Sequence, residues 1–336
     1  MLDIPLLLVI IIFTALIFDF TNGAHDCANA IATVVSTKVL SPRTAVTLAA
    51  LLNLVGALLG TEVANTLGSG IVRPEVVAGS HILVLAALFG AIFWNSITWY
   101  FGIPSSSSHA LIGGLMGASF AHAGLESLNF LSIFKKIIVP LLASPIAGFI
   151  MGGLLMWLIY LIFAKVNRPL VNRIFRKSQM LSAGVMALSH GLNDAQKTMG
   201  VITLALLIFG RIETFHVPLW VKLACALAMA AGTAMGGWKI VKTMGHKIFK
   251  MEPVHGFAAE TSAAMIIGCA SMIGAPISTT HTITASIFGV GSTKRLSAVR
   301  WGVAGNLIIA WVITIPASAT VGALSFWGLE LLGGLF

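Results

Sequence analysis

The chain has 336 residues, 57% of them hydrophobic and 9% charged, with a mean hydropathy of +0.97. That balance excludes a soluble globular domain and leaves an all-α polytopic membrane protein. The formal net charge of +9 does not point to nucleic acid, because the basic residues sit in short clusters between apolar runs.

The first apolar run, 4 to 18, lacks a basic leader and a small-residue cleavage site, so it reads as a membrane span and not as a signal peptide. It leads directly into TNGAHDCANAIATV, residues 21–34. Asn22, Asp26, Asn29 and Thr33 stand at spacings of 4, 3 and 4, which places them on one helix face. One carboxylate among neutral amide and hydroxyl oxygens suits a hard monovalent cation, whose hydration shell the oxygens replace. Asp26 has no basic neighbour in sequence, and an intramembrane carboxylate marks a functional site by default. His25 and Cys27 lie within this motif, and His190 within its later counterpart, where packing alone would account for them. The next run, 44 to 61, ends at Glu62, either an interface residue or a partner for a cation.

From 76 to 125 there is no formally charged residue, yet FGIPSSSSHALIGG, residues 101–114, puts four consecutive hydroxyls inside this stretch. Proline disfavours helix in the residue before it, and a hydroxyl after it caps a new helix. Such a break presents free backbone N–H groups, hydroxyl donors and the positive end of a helix dipole, an anion site without a charged side chain. A run from 137 to 164 follows, and then KVNRPLVNRIFRK, residues 165–177, is the longest polar connection. It is expected to be a cytoplasmic connector between a first unit, 1–164, and a second, 178–336.

The second half repeats the order of the first. SHGLNDAQKTMGVI, residues 189–202, aligns with the first motif at an offset of 168, matching Gly23 to Gly191 and Asp26 to Asp194. Asn193, Asp194 and Gln196 fall in the corresponding place, with Lys197 at i+3 as an alternative local partner for Asp194. Apolar runs at 198–210 and 223–238 precede a basic cluster, 239–250. The run 261–293 is too long for one span and is broken at GAPISTTHTITASIFG, residues 274–289, so it reads as a re-entrant hairpin. Pro104, Ser106, His109 and Gly117 match Pro276, Ser278, His281 and Gly289 at an offset of 172. Glu260 opens this run with no Lys or Arg within nine positions, a second candidate partner for a cation.

Two ordered matches at nearly one offset argue for duplication, with about ten to twelve membrane segments at about 20 residues each. The residues leave open whether the repeats are parallel or inverted. Two hydroxyl-rich breaks, one per repeat, could hold one tetrahedral oxyanion between them, with His109 and His281 orienting the hydroxyls. Paired sites of this kind at a repeat interface characterise secondary transporters. The basic clusters 165–177, 239–250 and 294–300 are expected on the cytoplasmic side, and the run 301–329 completes the chain. Cys27, Cys225 and Cys269 form neither a CxxC pair nor an even set.

These motifs resemble those of the inorganic phosphate transporter (PiT) family, whose duplicated G-x-N-D-x-x-N-A signature is similar to GAHDCANA and GLNDAQKT. Its P-x-S-x-x-H segments look like PSSSSH and PISTTH. One departure is His25, where the first motif usually has Asn. The resemblance implies inverted repeats, a phosphate site at paired hairpin tips, and symport with a cation, Na⁺ or H⁺, with metal–phosphate carried by some members. It implies a cation and substrate centre at Asp26, Asn29, Asn193 and Asp194, and a phosphate cradle at Ser105, Ser106, Ser107, Ser108, Ser278, Thr279 and Thr280. Gln196 is expected to add a donor. A homo-oligomer in the lipid bilayer is compatible with it.

The function expected is a multi-pass secondary transporter of the cytoplasmic membrane, importing phosphate with sodium by alternating access and needing no cofactor. Proton coupling and an uncoupled oxyanion channel are the alternatives. A phosphoesterase with a serine nucleophile and His109 as base is disfavoured, because the motif is duplicated and lacks a third, orienting group.

Overall fold

The computed structural model describes residues 5–70 and 80–333, and no strand occurs among them. The first four residues of the run 76–125 therefore lie outside the described residues. In chain order the first half supplies α1 Leu6–Ser36, α2 Pro42–Leu58, α3 Glu62–Gly70, α4 Leu83–Phe101, α5 Ser107–Ala123 and α6 Val139–Ile162. The second supplies α7 Arg168–Ile208, α8 Leu219–Met235, α9 Trp238–Lys242, α10 Pro253–Met272, α11 Thr279–Lys294 and α12 Trp301–Gly333. A π-helical segment, Ile133–Ile138, leads into α6, and another, Thr243–Lys247, extends α9.

The outer surface is apolar: Leu6, Phe13, Leu142, Leu181 and Leu331 are exposed, while Asp19, Asp26, Asp194, Lys197 and Glu260 are buried. This distribution is inside-out for water and right for hydrocarbon, where polar groups must be satisfied within the protein. Four helices are long and apolar enough to cross a membrane, and up to six spans result if the bent pairs α2–α3 and α8–α9 each count as one. The arms α5, α10 and α11 and the motif helix α7 fall outside that count: they are short or carry the polar residues of the core. The protein is thus an all-helical, multi-pass membrane protein.

The order of elements is the same in both halves. Each opens with a long motif helix (α1, α7), continues with a bent pair, forms a hairpin (α4–α5, α10–α11) and ends on a helix containing an internal proline, Pro145 in α6 and Pro316 in α12. The aligned glycines serve one purpose in each half. A Cβ on Gly23 would lie 2.3 Å from the Met229 carbonyl oxygen, and one on Gly191 would lie 2.2 Å from that of Asn53. The hairpin arms repeat this, with Gly117 at 1.9 Å from the Ala319 oxygen and Gly289 at 2.0 Å from that of Phe149. Backbones that approach so closely require glycine, as at small-residue interfaces between membrane helices.

The motif helices α1 and α7 run antiparallel. Arg176 Nη2 donates to the Lys38 carbonyl at 3.1 Å, Thr37 Oγ1 to Gln179 Oε1 at 2.9 Å, and Thr198 Oγ1 to Asp19 Oδ1 at 2.9 Å, so partners ascend α7 as α1 descends. The hairpins also enter from opposite ends. The base of α10–α11 closes at Glu252 and Lys294, 3.7 Å apart, in a cleft shared with Arg168 at the start of α7. The start of α4 lies at the far end of α7, where the His81 and Phe209 rings are 4.5 Å apart.

The expected connector, 165–177, is not a separate loop. Asn167 caps the helix by accepting from Leu170 N at 3.0 Å, Pro169 occupies the first turn, and the basic residues run on into the 41-residue α7. Proline fits the first turn because the N–H it lacks would be unpaired there anyway.

Candidate functional site

The two hairpin tips meet at the level of the aspartates. Each tip is built alike: Ser106 Oγ accepts from His109 N at 3.2 Å, and Ser278 Oγ accepts from His281 N at 3.1 Å. These serines are the N-caps of α5 and α11, so the duplicated P-x-S-x-x-H spacing is the spacing of a cap and its third helical residue. Ser108 Oγ donates to the Ile277 carbonyl at 3.3 Å across the junction, and the His109 and His281 rings pack edge to face at 4.6 Å.

Motif residues of α1 and α7 close over the tips. Thr280 Oγ1 donates to Asp26 Oδ1 at 3.2 Å, and Thr279 Oγ1 donates to Asp194 Oδ2 at 3.0 Å. Both hydroxyls accept from Asn29 Nδ2, at 2.9 and 3.2 Å respectively. Ligand atoms of Asp26, His190 and Asp194 lie within 4.8 Å of one another. His25 Nδ1 is 2.6 Å from Asp26 Oδ1, and His190 Nε2 is 3.1 Å from Asp194 Oδ2 but off the hydrogen-bond direction. Lys197 Nζ reaches Asp194 Oδ1 and Ser108 Oγ, both at 2.5 Å, and the Ile277 carbonyl at 3.0 Å.

The donor set fits a cation. Asn22 Oδ1, Asn29 Oδ1 and Asn193 Oδ1 are buried and have no hydrogen-bond partner. Each unsatisfied acceptor costs about 1–3 kcal/mol, and a bound cation removes that cost. The set also offers hydroxyls to an oxyanion: Ser107 Oγ is buried without a partner, next in sequence to Ser108, which bonds to the second tip.

Several expected ligands stand elsewhere. Gln196 is turned away and supports α3: its Oε1 accepts from Val63 N at 2.7 Å, and its Nε2 donates to the Leu192 carbonyl at 2.7 Å. Two residues past Asp194, it is about 200° around the helix, since a helix turns once in 3.6 residues. Ser105 donates to Thr98 Oγ1 at 2.9 Å and lies behind His25 instead of at the tip. His109 and His281 orient no hydroxyl; His281 stacks on Trp311 at 4.0 Å. Lys197, expected behind the ligands, is at the centre. Thr33 leaves the Asp26 cluster and donates to Glu260 Oε1 at 2.5 Å, where Gln179 Nε2 and Ser182 Oγ also donate to the carboxylate. Glu62 is exposed at the start of α3. Asp19 was missed: it continues the Asn22–Asp26–Asn29 face one step earlier, and its Oδ2 has no partner.

Paired hairpins meeting tip to tip over buried carboxylates, in a multi-pass helical protein, define a membrane transporter. Residues 22–322 match the PHO4 phosphate transporter family, and the chain belongs to it. It is a phosphate transporter of the PiT family, not an enzyme. It is 50% identical to a probable low-affinity inorganic phosphate transporter of Bacillus subtilis (strain 168), over 98% of this chain and 99% of that one. A protein of the same description from Rhizobium meliloti (strain 1021) is 49% identical, with 97% of each chain covered. A solved structure described as the sodium-dependent phosphate transporter superposes with a TM-score of 0.89 at 25% identity, covering 97% of this chain and 99% of that chain.

Proposed function

We propose that the chain imports inorganic phosphate across the cytoplasmic membrane by symport with a cation, sodium in first place, through alternating access. Its two halves, α1 to α6 and α7 to α12, act as inverted repeats around the site. The carrying observation is the pair of threonine hydroxyls that bridge the carboxylates to Asn29. As the cluster stands, Thr279 and Thr280 spend their protons on Asp194 and Asp26. Two carboxylates about 5 Å apart repel by roughly 3 kcal/mol at an effective dielectric of about 20, and an incoming phosphate adds to that repulsion. A monovalent cation taken up by the carboxylates and the unpartnered amide oxygens, together with the Lys197 ammonium on Asp194, balances the two carboxylates. The threonine protons then turn to the anion, joined by Ser107 and Ser108. Phosphate binds well only once its co-ion is present, which is the differential interaction that coupling requires.

The sodium dependence in the description of the structural neighbour and the neutral oxygens around Asp26 support sodium over a proton. A second reading, carriage of phosphate with a divalent metal, has its own observation in the Asp26–His190–Asp194 cluster. Labelled phosphate uptake into proteoliposomes under separately imposed sodium, proton and magnesium gradients decides among them. Sodium-driven accumulation, lost in Asp26→Asn, is the expected result; unchanged sodium-driven uptake in that variant would refute the assignment.

A further inference from the structure

Lys197 is the only Lys or Arg buried in the core among the described residues. The motif alignment places it opposite Asn29, each three residues after its aspartate. Their contacts correspond as well. Asn29 Nδ2 donates to Thr280 on the second tip, and Lys197 Nζ donates to Ser108 on the first, the residue that aligns with Thr280. An ammonium carries three N–H donors. Here three oxygens of three kinds receive them: the Asp194 carboxylate, the Ser108 hydroxyl and the Ile277 carbonyl.

A shell of carboxylate, hydroxyl and carbonyl oxygens is also what replaces the water around a small cation. The first half has the same ingredients without a lysine: Asp26, which His25 Nδ1 approaches at 2.6 Å, is accompanied by Asn22 and Asn29 carbonyl oxygens that have no partner. The Asp194 position is therefore filled by the protein's own side chain, with the Asn193 Oδ1 alone left open beside it, whereas two amide oxygens stay open around Asp26. Building on the symport reading, we infer that Lys197 Nζ permanently occupies the second of two equivalent cation positions. The free co-ion is taken at Asp26, and the transporter uses one fewer cation per phosphate than two Asn-bearing motifs would.

Replacing the lysine by the residue of the other half tests this. Wild type and Lys197→Asn are reconstituted as full chains, and the phosphate ratio that just balances an imposed tenfold sodium gradient is measured at zero membrane potential. One additional sodium per phosphate raises that ratio about tenfold, since each tenfold step in an ion's gradient is worth about 1.4 kcal/mol. The expected result is that tenfold rise in Lys197→Asn. A variant with a higher phosphate KM but an unchanged balancing ratio makes Lys197 a simple anion ligand and overturns the inference.

Two further readings keep the outcome decisive. If Lys197→Asn does not transport, the melting temperature of purified protein against sodium concentration is compared between wild type and Asp194→Asn. Asp194→Asn, which should lose transport, is expected to keep the wild-type sodium slope because the partner of Asp194 is covalently attached; a shallower slope places a free ion at Asp194 and rejects the inference. Wild-type uptake indifferent to sodium counts against the sodium reading alone. The inference then stands if Lys197→Asn acquires a sodium requirement and falls if it does not.

Discussion

Adjacent serines at the first tip do different work, and substitution should separate them. Ser106 Oγ holds His109 N as the cap of α5, and losing a cap costs about 1 kcal/mol. Ser106→Ala should lower the melting temperature. Ser107 Oγ is buried with no partner, so Ser107→Ala removes an unsatisfied group and should leave stability unchanged or slightly raised. In turn it should weaken phosphate binding, because a hydrogen bond to a charged group is worth about 1.5–3 kcal/mol, roughly ten- to a hundredfold in KM for uptake. Thermal melts and uptake kinetics on both variants check the contrast; equal effects on KM would mean that the tip does not grip the anion through Ser107. At this scale the sequence was readable where chemistry is local. Pro104, Ser106 and His109 declared a capped helix start, and Asp26 declared a buried carboxylate. Lys197 was legible only as a neighbour of Asp194 at i+3, because its bonds to Ser108 and Ile277 span 89 and 80 residues. Asp19 could have been found, since it extends the same helix face by one more step of three.

At the scale of the elements, the aligned glycines make corresponding close contacts. Gly117 and Gly289 were aligned by spacing alone, and the fold gives each the same task, with neighbouring carbonyl oxygens at 1.9 and 2.0 Å from any added Cβ. Those contacts are backbone and cannot swing aside. Gly117→Val should separate α5 from α12 and cost about 1–3 kcal/mol or more, seen as a lower melting temperature and loss of the monodisperse peak in size-exclusion chromatography. Gly328→Ala is the control, because nothing lies within 4 Å of its added Cβ and α12 continues undisturbed there. Equal destabilisation by both would remove the packing argument. The hairpin α10–α11 was legible because a 33-residue charge-free run had to turn. The start of α7 at Arg168, within the stretch 165–177, was not, since a polar, basic stretch reads as a connector when nothing shows that Asn167 and Pro169 start a helix.

At the scale of the whole molecule, what matters is that the two motif helices oppose one another. α1 and α7 run antiparallel, so the two hairpins enter from opposite ends and their tips face each other at the aspartates. Under the proposed alternating access, each half would control the path to one end, and the site would be reached from one side at a time as the halves rock about it. The basic segments agree with this placement. Arg168, Asn172 and Lys294 line one cleft, and Arg300 N donates to the Ile248 carbonyl at 3.0 Å, so a part of each of the three basic segments comes together at one end. From the excess of Lys and Arg we propose that this end faces the cytoplasm. Single cysteines at Arg295 and Glu213, both exposed, introduced with Cys269 replaced by serine, report the orientation through a membrane-impermeant maleimide. Arg295→Cys should react in inside-out vesicles and Glu213→Cys in right-side-out ones. Labelling of both from one face would place the two bases together, and opposed hairpins could not then gate the site from two sides.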